Sequence, residues 1–242
     1  MTTADVLCLA LIAILLLTDH FVLWRTFIRR SKVDPGRARL WLWSSAMIML
    51  WALVAAIVLL WLFEARSWGA LRLVMPHGWR LWGSMGLVLL LVLALAIAYA
   101  RTVARITRRK HPKPVERANP NAIELYPHTP YELGMWLALS LSAGFCEELV
   151  FRGYFLWVFQ PIFGLWGAAA FSVVAFGLAH AYQGVKGILA TAAVGLLLTL
   201  VVLFSGSLWP AIALHALVDF GGGLVTWLAL RQVRHASDVV AA

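Results

Sequence analysis

Long apolar runs separated by short charged segments constrain this chain more than any other feature of its sequence. A helix needs roughly 20 apolar residues to cross a hydrocarbon core about 30 Å thick. Apolar residues make up 62% of the 242 positions, and the charged 13% lie mostly between the runs. This pattern predicts an all-α, polytopic transmembrane helical bundle. The seven predicted spans cover residues 6–24, 40–63, 81–100, 133–159, 165–180, 188–204 and 208–230.

Prolines divide the predicted bundle into two halves. The segment HPKPVERANPNAIELYPHTP contains too many prolines to form one regular helix. Ionisable residues within the spans are few before this segment and more numerous after it, so we expect the active site among the last four spans. The predicted regions are a three-span N-terminal region (1–110), a Pro-rich linker (111–130), a catalytic four-helix core (131–230) and a polar tail (231–242).

The basic residues flank the apolar runs and predict how the chain sits in a membrane. The net charge of +9 is explained by topology and anionic lipid headgroups, so no nucleic-acid partner is expected. Segments 25–39 and 101–117 are the richest in Lys and Arg and should face the cytoplasm. The first run lacks a basic n-region and is interpreted as a retained span rather than a signal peptide. The expected location is a multi-pass position in a membrane, the plasma (inner) membrane if the source is bacterial.

The first polar cluster within an apolar run is GFCEELVFRGYF. Glu148 and Arg152 are four residues apart and share one helical face, whereas Glu147 points about 100° away. One glutamate can therefore pair with the arginine while the other stays free. A purely structural ion pair between helices is the alternative, but it does not require a second, adjacent glutamate.

Two further clusters follow on later apolar runs. Phe176 and His180, in FGLAH, lie on one face near the end of a predicted span. His215 and Asp219, also four residues apart, can either orient the imidazole or bind one metal ion together. By itself, His180 is more typical of an interfacial or hydrogen-bonded histidine than of a catalytic one. His215 and Asp219 by themselves are equally compatible with a buried hydrogen bond between helices. Together the three clusters supply the groups needed to activate water and stabilise a tetrahedral intermediate.

These clusters, in this order, resemble a known family. EExxxR at 147–152, FxxxH at 176–180 and HxxxN/D at 215–219 are similar to the motifs of the CAAX protease and bacteriocin-processing (CPBP/Abi) family of intramembrane endopeptidases. The resemblance covers about residues 131–230. Each motif is short, and the ordered set on successive apolar segments carries the specificity.

The resemblance implies roles for the clustered residues. Glu147 would activate the water with His180 as its partner, and His215 with Asp219 would form the second side of the site. Their supports would be Glu148 and Arg152. Asp219 stands where the family often has Asn, and an ionised Asp cannot donate a hydrogen bond to an oxyanion.

The resemblance leaves two mechanisms open. One is a metal site, possibly with zinc; the other is a metal-free glutamate protease, and no HExxH motif decides between them. The possible zinc ligands are Glu147, His180, His215 and Asp219. Asp219 would therefore have to be protonated, orient His215 or bind such a metal.

Straight helices with these span boundaries do not bring the clusters together. They place Glu147 and His215 nearer the outer side and His180 nearer the cytoplasmic side. A span that starts elsewhere or a broken helix is therefore expected. The glycines that could allow a bend or an unwound turn are Gly177, Gly184, Gly187 and Gly221 to Gly223.

The expected function is hydrolysis of a peptide bond in a membrane-associated protein or peptide. The rival functions are a transporter that relays protons or cations through the same side chains and a catalytically silent scaffold. No inverted internal repeat supports the transporter. The sequence selects neither the substrate, prenylated or not, nor the oligomeric state.

Overall fold

The computed structural model describes residues 1–107 and 124–241, and every regular element in those ranges is helical. The prediction of an all-α transmembrane bundle is confirmed. Most of the predicted Pro-rich linker falls on residues 108–123, outside the described ranges. The α-helices are α1 (Thr3–Ser31), α2 (Pro35–Phe63), α3 (Trp79–Thr107), α4 (Pro130–Glu148), α5 (Phe155–Ala179), α6 (Gly184–Ser205) and α7 (Trp209–Ala241).

Polar residues in front of the apolar runs fix where α1 and α4 begin. The Thr2 side chain caps α1 and exchanges hydrogen bonds with Asp5, three residues later. Thr129 and Glu132 form the same reciprocal arrangement at the start of α4, where Pro130 occupies the first turn. Both are capping boxes, which satisfy amide groups that would otherwise lack partners at a helix start.

The longest helical run, Pro130–Ala179, accounts for two of the seven predicted spans. Six runs among the described residues are long and apolar enough to cross a membrane, and this one has 50 residues, about 75 Å at 1.5 Å per residue. It reverses direction at Gly164, whose φ of 69° and ψ of 174° are not helical. The rings of Phe159 and Phe171, on either side of the reversal, have centroids 4.2 Å apart. Residues 165–179 therefore fold back along the preceding helix.

Two local π-helical turns interrupt the long runs. One covers Asp19–Leu23 within α1, and the other, Leu149–Tyr154, joins α4 to α5. Such turns insert an extra residue into a helix and change which side chains share a face. Both lie beside the polar residues described below.

The bundle has two ends, and different connecting segments meet at each. At the loop end, the Leu208 amide donates to the Arg72 carbonyl at 2.9 Å, and Arg66 pairs with Asp5 at 2.6 Å. The segments that meet at the loop end are residues 1–5, 64–78, 161–164 and 206–208.

At the opposite end, called the linker end, the α1–α2 turn meets the start of α4. Arg39 lies on α2 and pairs with Glu132 at 2.9 Å and with Glu124 at 3.2 Å. The arginine-rich segment 25–39, which the sequence analysis predicted to face the cytoplasm, lies at this end.

Candidate active site

A buried carboxylate on α4 holds a histidine on α7 and an arginine in the following turn. Glu148 Oε1 lies 2.8 Å from His215 Nδ1 and accepts a hydrogen bond from Arg152 Nη1 at 2.8 Å. The side chains of Glu148 and Arg152 are fully buried. An ionised carboxylate can only accept, so Nδ1 carries the proton in this bond and Nε2 points the other way.

The other side of the Arg152 guanidinium is also occupied. Its Nε donates to Thr199 and its Nη2 donates to the Gly195 carbonyl, at 3.3 Å and 3.0 Å. The Phe176 ring lies beneath it, 4.2 Å from centroid to guanidinium carbon. Phe176 also packs edge-on against the His215 ring. The aromatic residue of the FxxxH motif thus packs against both the arginine and the histidine.

Two more carboxylates face the free nitrogen of His215. Nε2 is 3.6 Å from Asp219 Oδ2 and 3.8 Å from Glu147 Oε2. These distances exceed a direct hydrogen bond but place all three groups around one small space. Glu147 Oε2 is buried and lacks a hydrogen-bond partner among the described protein groups, which is costly for a carboxylate unless it binds something else.

His180 reaches the same space from the end of α5. Its Nδ1 lies 2.9 Å from the Phe176 carbonyl oxygen, so Nδ1 is the protonated nitrogen and Nε2 is left free. The chain then turns through Ala181–Gln183 into α6. Gly184 follows with a φ of 79°, a left-handed conformation that favours glycine.

The straight-helix placement, with His180 and Glu147 nearer opposite sides, does not occur, and the break in the helix lies at Gly164. Glu147 precedes Gly164 by 17 residues and His180 follows it by 16, so each lies about 25 Å along its helix from the same turn. The reversal at Gly164 therefore brings them to similar depths. Of the glycines proposed as bends, Gly184 lies at a turn, whereas Gly177 lies within α5.

The α7 glycines and Gly187 do not break their helices either. Gly221 to Gly223 lie within α7 and Gly187 lies within α6. The contact that matters instead is Gly144 on α4. A Cβ at this position would come within 3.0 Å of the Ala216 amide nitrogen and the Ile212 carbonyl oxygen on α7. This close crossing holds Glu147 and Glu148 against the turn of α7 that carries the histidine.

Four of the six predicted site residues line one cavity of about 430 Å³: Glu147, His180, His215 and Asp219. Glu148 and Arg152 lie behind them. The rest of the lining is mostly apolar and aromatic, with side chains such as Trp43 and Tyr126. Burial raises the pKa of the Tyr126 phenol, and the Asp219 charge adds to that rise, so the phenol stays protonated.

The sequence analysis missed Asp19, which lines the same cavity from the π-helical turn of α1. Its carboxyl group shares this cavity with His180 and Glu147. Trp24 lies one turn further along and contacts Tyr182, next to His180. A carboxylate well inside an apolar run was the available signal, because such a residue rarely lies in a span without a partner or a cavity.

The placement of the donor side chains does not fit a metal ion. Within residues 1–107 and 124–241, no group of three or more His, Cys, Asp or Glu side chains is arranged to hold a metal ion. His215 Nδ1 is bonded to Glu148, and His180 Nδ1 to its own helix. As placed, these donor side chains do not form a metal site, and no step of the reaction proposed below is derived through a metal.

Comparison with known proteins supports the assignment that the motifs suggested. Residues 129–221 match the family model described as Rce1-like, type II CAAX prenyl endopeptidase Rce1-like. This segment of the chain is therefore similar to the Rce1-like family. The match spans α4 to the middle of α7 and contains all six predicted site residues. Searches of curated proteins and of solved structures found no match to the chain.

The similarity of residues 129–221 to the Rce1-like family supports a CAAX-type intramembrane protease in general. Together with the six long apolar helical runs, it indicates a multi-pass integral membrane protein. The matched segment ends before the last turns of α7 and excludes α1 to α3. Asp19 and Trp24, which line the cavity, therefore lie outside the segment that matches the family model.

Proposed function

We propose that this protein is an endopeptidase that hydrolyses a peptide bond of a membrane-associated protein or peptide in the cavity between α4, α5 and α7. The observation that carries this proposal is the placement of His215. Glu148 holds its Nδ1, and its Nε2 faces Glu147 and Asp219 across less than 4 Å. A fixed imidazole beside an unpartnered carboxylate is the arrangement that water activation requires.

In the proposed reaction Glu147 acts as the general base. Its Oε2 takes a proton from a water molecule, while the free Nε2 of His180 accepts the second water hydrogen bond and fixes the direction of attack. The hydroxide adds to the carbonyl carbon. When the C–N bond breaks, Glu147 returns the proton to the departing amine, which yields a carboxylic acid and a free amino group.

His215 stabilises the charge that develops on the carbonyl oxygen. With Nδ1 held by Glu148, a proton on Nε2 points into the cavity and donates to the oxyanion. Asp219, 3.6 Å away, favours the protonated form of that nitrogen. This answers the question raised by an Asp in place of Asn: the aspartate acts through His215 and does not donate itself.

The network around Arg152 keeps the two glutamates different. Each glutamate has one buried oxygen without a hydrogen-bond partner among the described residues. Glu148 is paired through its other oxygen with Arg152 and His215, whereas Glu147 Oε2 lies 3.8 Å from His215 Nε2. One carboxylate therefore orients and the other reacts. A charge left in this position is tolerated because the cavity admits water and substrate.

The substrate proposal follows from the cavity lining and the family description. Mostly apolar and aromatic walls suit a hydrophobic peptide segment or a lipid-modified one. Since the matched family is described as CAAX prenyl endopeptidases, a prenylated CAAX peptide is the first substrate to test. Unmodified leader peptides and bacteriocin-like peptides complete the panel.

The test measures cleavage of these peptides, each tethered to a membrane, by the purified full chain in liposomes. Wild type is compared with Glu147→Ala and His215→Ala, each with and without a strong chelator, after thermal melts establish that the variants are folded. Loss in both variants with no chelator effect supports the metal-free reaction. Loss of wild-type activity in chelator would replace it with a metalloprotease, possibly a zinc enzyme. Equal behaviour of folded wild type and variants would overturn the protease proposal.

A further inference from the structure

A second cavity lies at the loop end of the bundle, far from the proposed active site. It has a volume of about 570 Å³ and opens between residues 69–72, the start of α3 and the part of α5 just before the reversal at Gly164. The described residues that line it include two arginines and no acidic side chain. Its polar and aromatic walls come from Arg72, Arg80, Trp157 and Gln160.

The two arginines have no counter-charge within the described part of the chain. By contrast, Arg66 at the loop end pairs with Asp5 at 2.6 Å, and Arg152 in the proposed active site pairs with Glu148 at 2.8 Å. For Arg72 and Arg80, no carboxylate among the described residues lies within ion-pairing distance. Two guanidinium groups that share one cavity repel each other unless an anion lies between them.

Local structure holds both arginines at this cavity. Arg72 ends the Trp68–Leu71 turn in a left-handed conformation, with φ 58°, and its carbonyl oxygen accepts from the Leu208 amide. The Arg80 guanidinium lies against Gly206, where a Cβ would come within 2.9 Å of Nη1. Burial and the charge of Arg80 lower the pKa of Arg72, an effect that an anion bound between the two groups would offset.

The cavity lies at the level of a membrane interface. Exposed tryptophans surround the loop end, and such belts mark the headgroup region of a bilayer. They are Trp68, Trp79, Trp82, Trp166 and Trp209, with exposed fractions between 39% and 72%. Phosphate groups of lipids lie at this depth, and guanidinium groups bind phosphate through paired N–H donors.

We propose that Arg72 and Arg80 form a binding site for the phosphate of an anionic phospholipid headgroup at the loop end of the bundle. The lipid chains lie along the exposed apolar surface of α3, where Met85, Leu89 and Leu93 are more than half exposed. Gln160 donates to the headgroup, and Trp157 forms the cavity wall beneath it.

A cavity at the linker end is also lined by arginines but, unlike the loop-end cavity, includes an acidic side chain. It includes Arg29, Arg30 and Arg37 but also Asp34, which lies 3.4 Å from Arg37. That cavity carries its own counter-charge. It therefore provides a control pair of arginines, because Arg29 and Arg37 are exposed and their removal changes the net charge by the same amount.

The experiment measures phosphatidylglycerol binding to the full-length chain in detergent micelles by native mass spectrometry. We expect Arg72→Gln/Arg80→Gln to weaken binding about 25-fold, about fivefold for each arginine. Arg29→Gln/Arg37→Gln should change binding less than threefold, which is less than the effect expected for one arginine that contacts the headgroup. Arg80→Gln alone, at an exposed side chain with no hydrogen bond in the described structure, gives the same test if the double variant fails to fold.

Two further arms separate the sources of phosphate. Phosphatidylcholine should bind at least about fivefold more weakly than phosphatidylglycerol, since it carries no net charge. Inorganic phosphate at millimolar concentration should not displace the lipid; if it does so in wild type, the site binds free phosphate and the lipid proposal fails. Equal loss in the test and control pairs would show non-specific attraction and overturn the site.

Discussion

Two buried ion-pair networks in this molecule look alike and differ in what surrounds them. At the loop end, Asp5 pairs with Arg66 at 2.6 Å, and the guanidinium lies over the Trp61 and Trp157 rings at 5.2 Å and 4.5 Å. In the proposed active site, Glu148 pairs with Arg152 at 2.8 Å, and that guanidinium lies 4.2 Å from an aromatic ring.

The surroundings distinguish the two networks. The Asp5 oxygens also accept from Thr2, and the Tyr154 hydroxyl donates to the Asp5 carbonyl at 3.2 Å, so this network is closed. The Glu148 network adds His215 and, beyond it, a carboxylate oxygen without a hydrogen-bond partner among the described residues. A buried ion pair by itself therefore indicates stability at least as readily as function. The additional unpaired groups that face a cavity indicate function.

The largest expected effect is the loss of cleavage on substitution of Glu147, which has no counterpart in the loop-end network. Glu147→Gln keeps the size of the side chain but removes the base, so we expect cleavage to fall about a thousandfold. The melting temperature should stay within a few degrees of wild type. Single-turnover cleavage of a prenylated peptide measures the rate. Retention of more than a tenth of the activity would contradict the assignment of Glu147 as base.

A matched pair of substitutions compares the two networks directly. Glu148→Gln leaves Arg152 buried without a carboxylate and releases His215, so we expect about a hundredfold loss of activity and about 3 kcal/mol of destabilisation. Asp5→Asn disturbs the same kind of pair and should lower stability while activity per folded molecule stays within about twofold.

Thermal melts and active-site titration of both variants provide the measurement for this pair. A large loss of specific activity in folded Asp5→Asn protein would show that the loop-end network also takes part in the reaction. The distinction between the two networks would then fail.

The residue at position 219 tests how the proposed site handles charge. If Asp219 acts through His215, Asp219→Asn should lower cleavage less than about tenfold, since an amide can still accept from Nε2–H or donate to the oxyanion itself. Asp219→Ala should cost about a hundredfold. Cleavage rates with and without chelator check both. A chelator-sensitive loss confined to the wild type would favour a metal ligand instead.

The smallest effect is expected where the N-terminal region touches the site. Asp19→Asn removes a charge near His180 without removing a group that contacts the reacting atoms, so we expect a three- to tenfold decrease in cleavage. Thr18→Val, at the neighbouring position, serves as the control for local packing. A change in the pH profile in Asp19→Asn alone would identify an electrostatic role; parallel behaviour of the two variants would indicate packing only.

The sequence indicated much of the fold because lipid leaves few alternatives. A run of about 20 apolar residues can satisfy its backbone in a bilayer only as a helix or as part of a closed barrel. The separate spans at 133–159 and 165–180 were predicted, and the reversal falls between them, at Gly164. Helix starts at Thr2 and Thr129 followed local capping chemistry, which a few adjacent residues specify.

The depth of His180 and the role of Asp19 could not be predicted in this way. Both depend on how far each helix runs before it turns and on how the helices cross, as at Gly144, where a Cβ would lie within 3.0 Å of backbone atoms of α7. Periodicity along one helix reports which residues share a face. It does not report which face of another helix lies opposite.

The sequence by itself determined that this is a helical membrane protein with three ordered polar motifs, because spacing within a helix and exclusion of charge from lipid are local constraints. Only the tertiary structure decided that Glu148 holds His215, that Glu147 has an oxygen without a partner among the described residues, and that Asp19 enters from α1. Glu148 and His215 are 67 positions apart in the chain, and Asp19 lies on a different helix from every other polar residue of the site; packing between helices sets these relations.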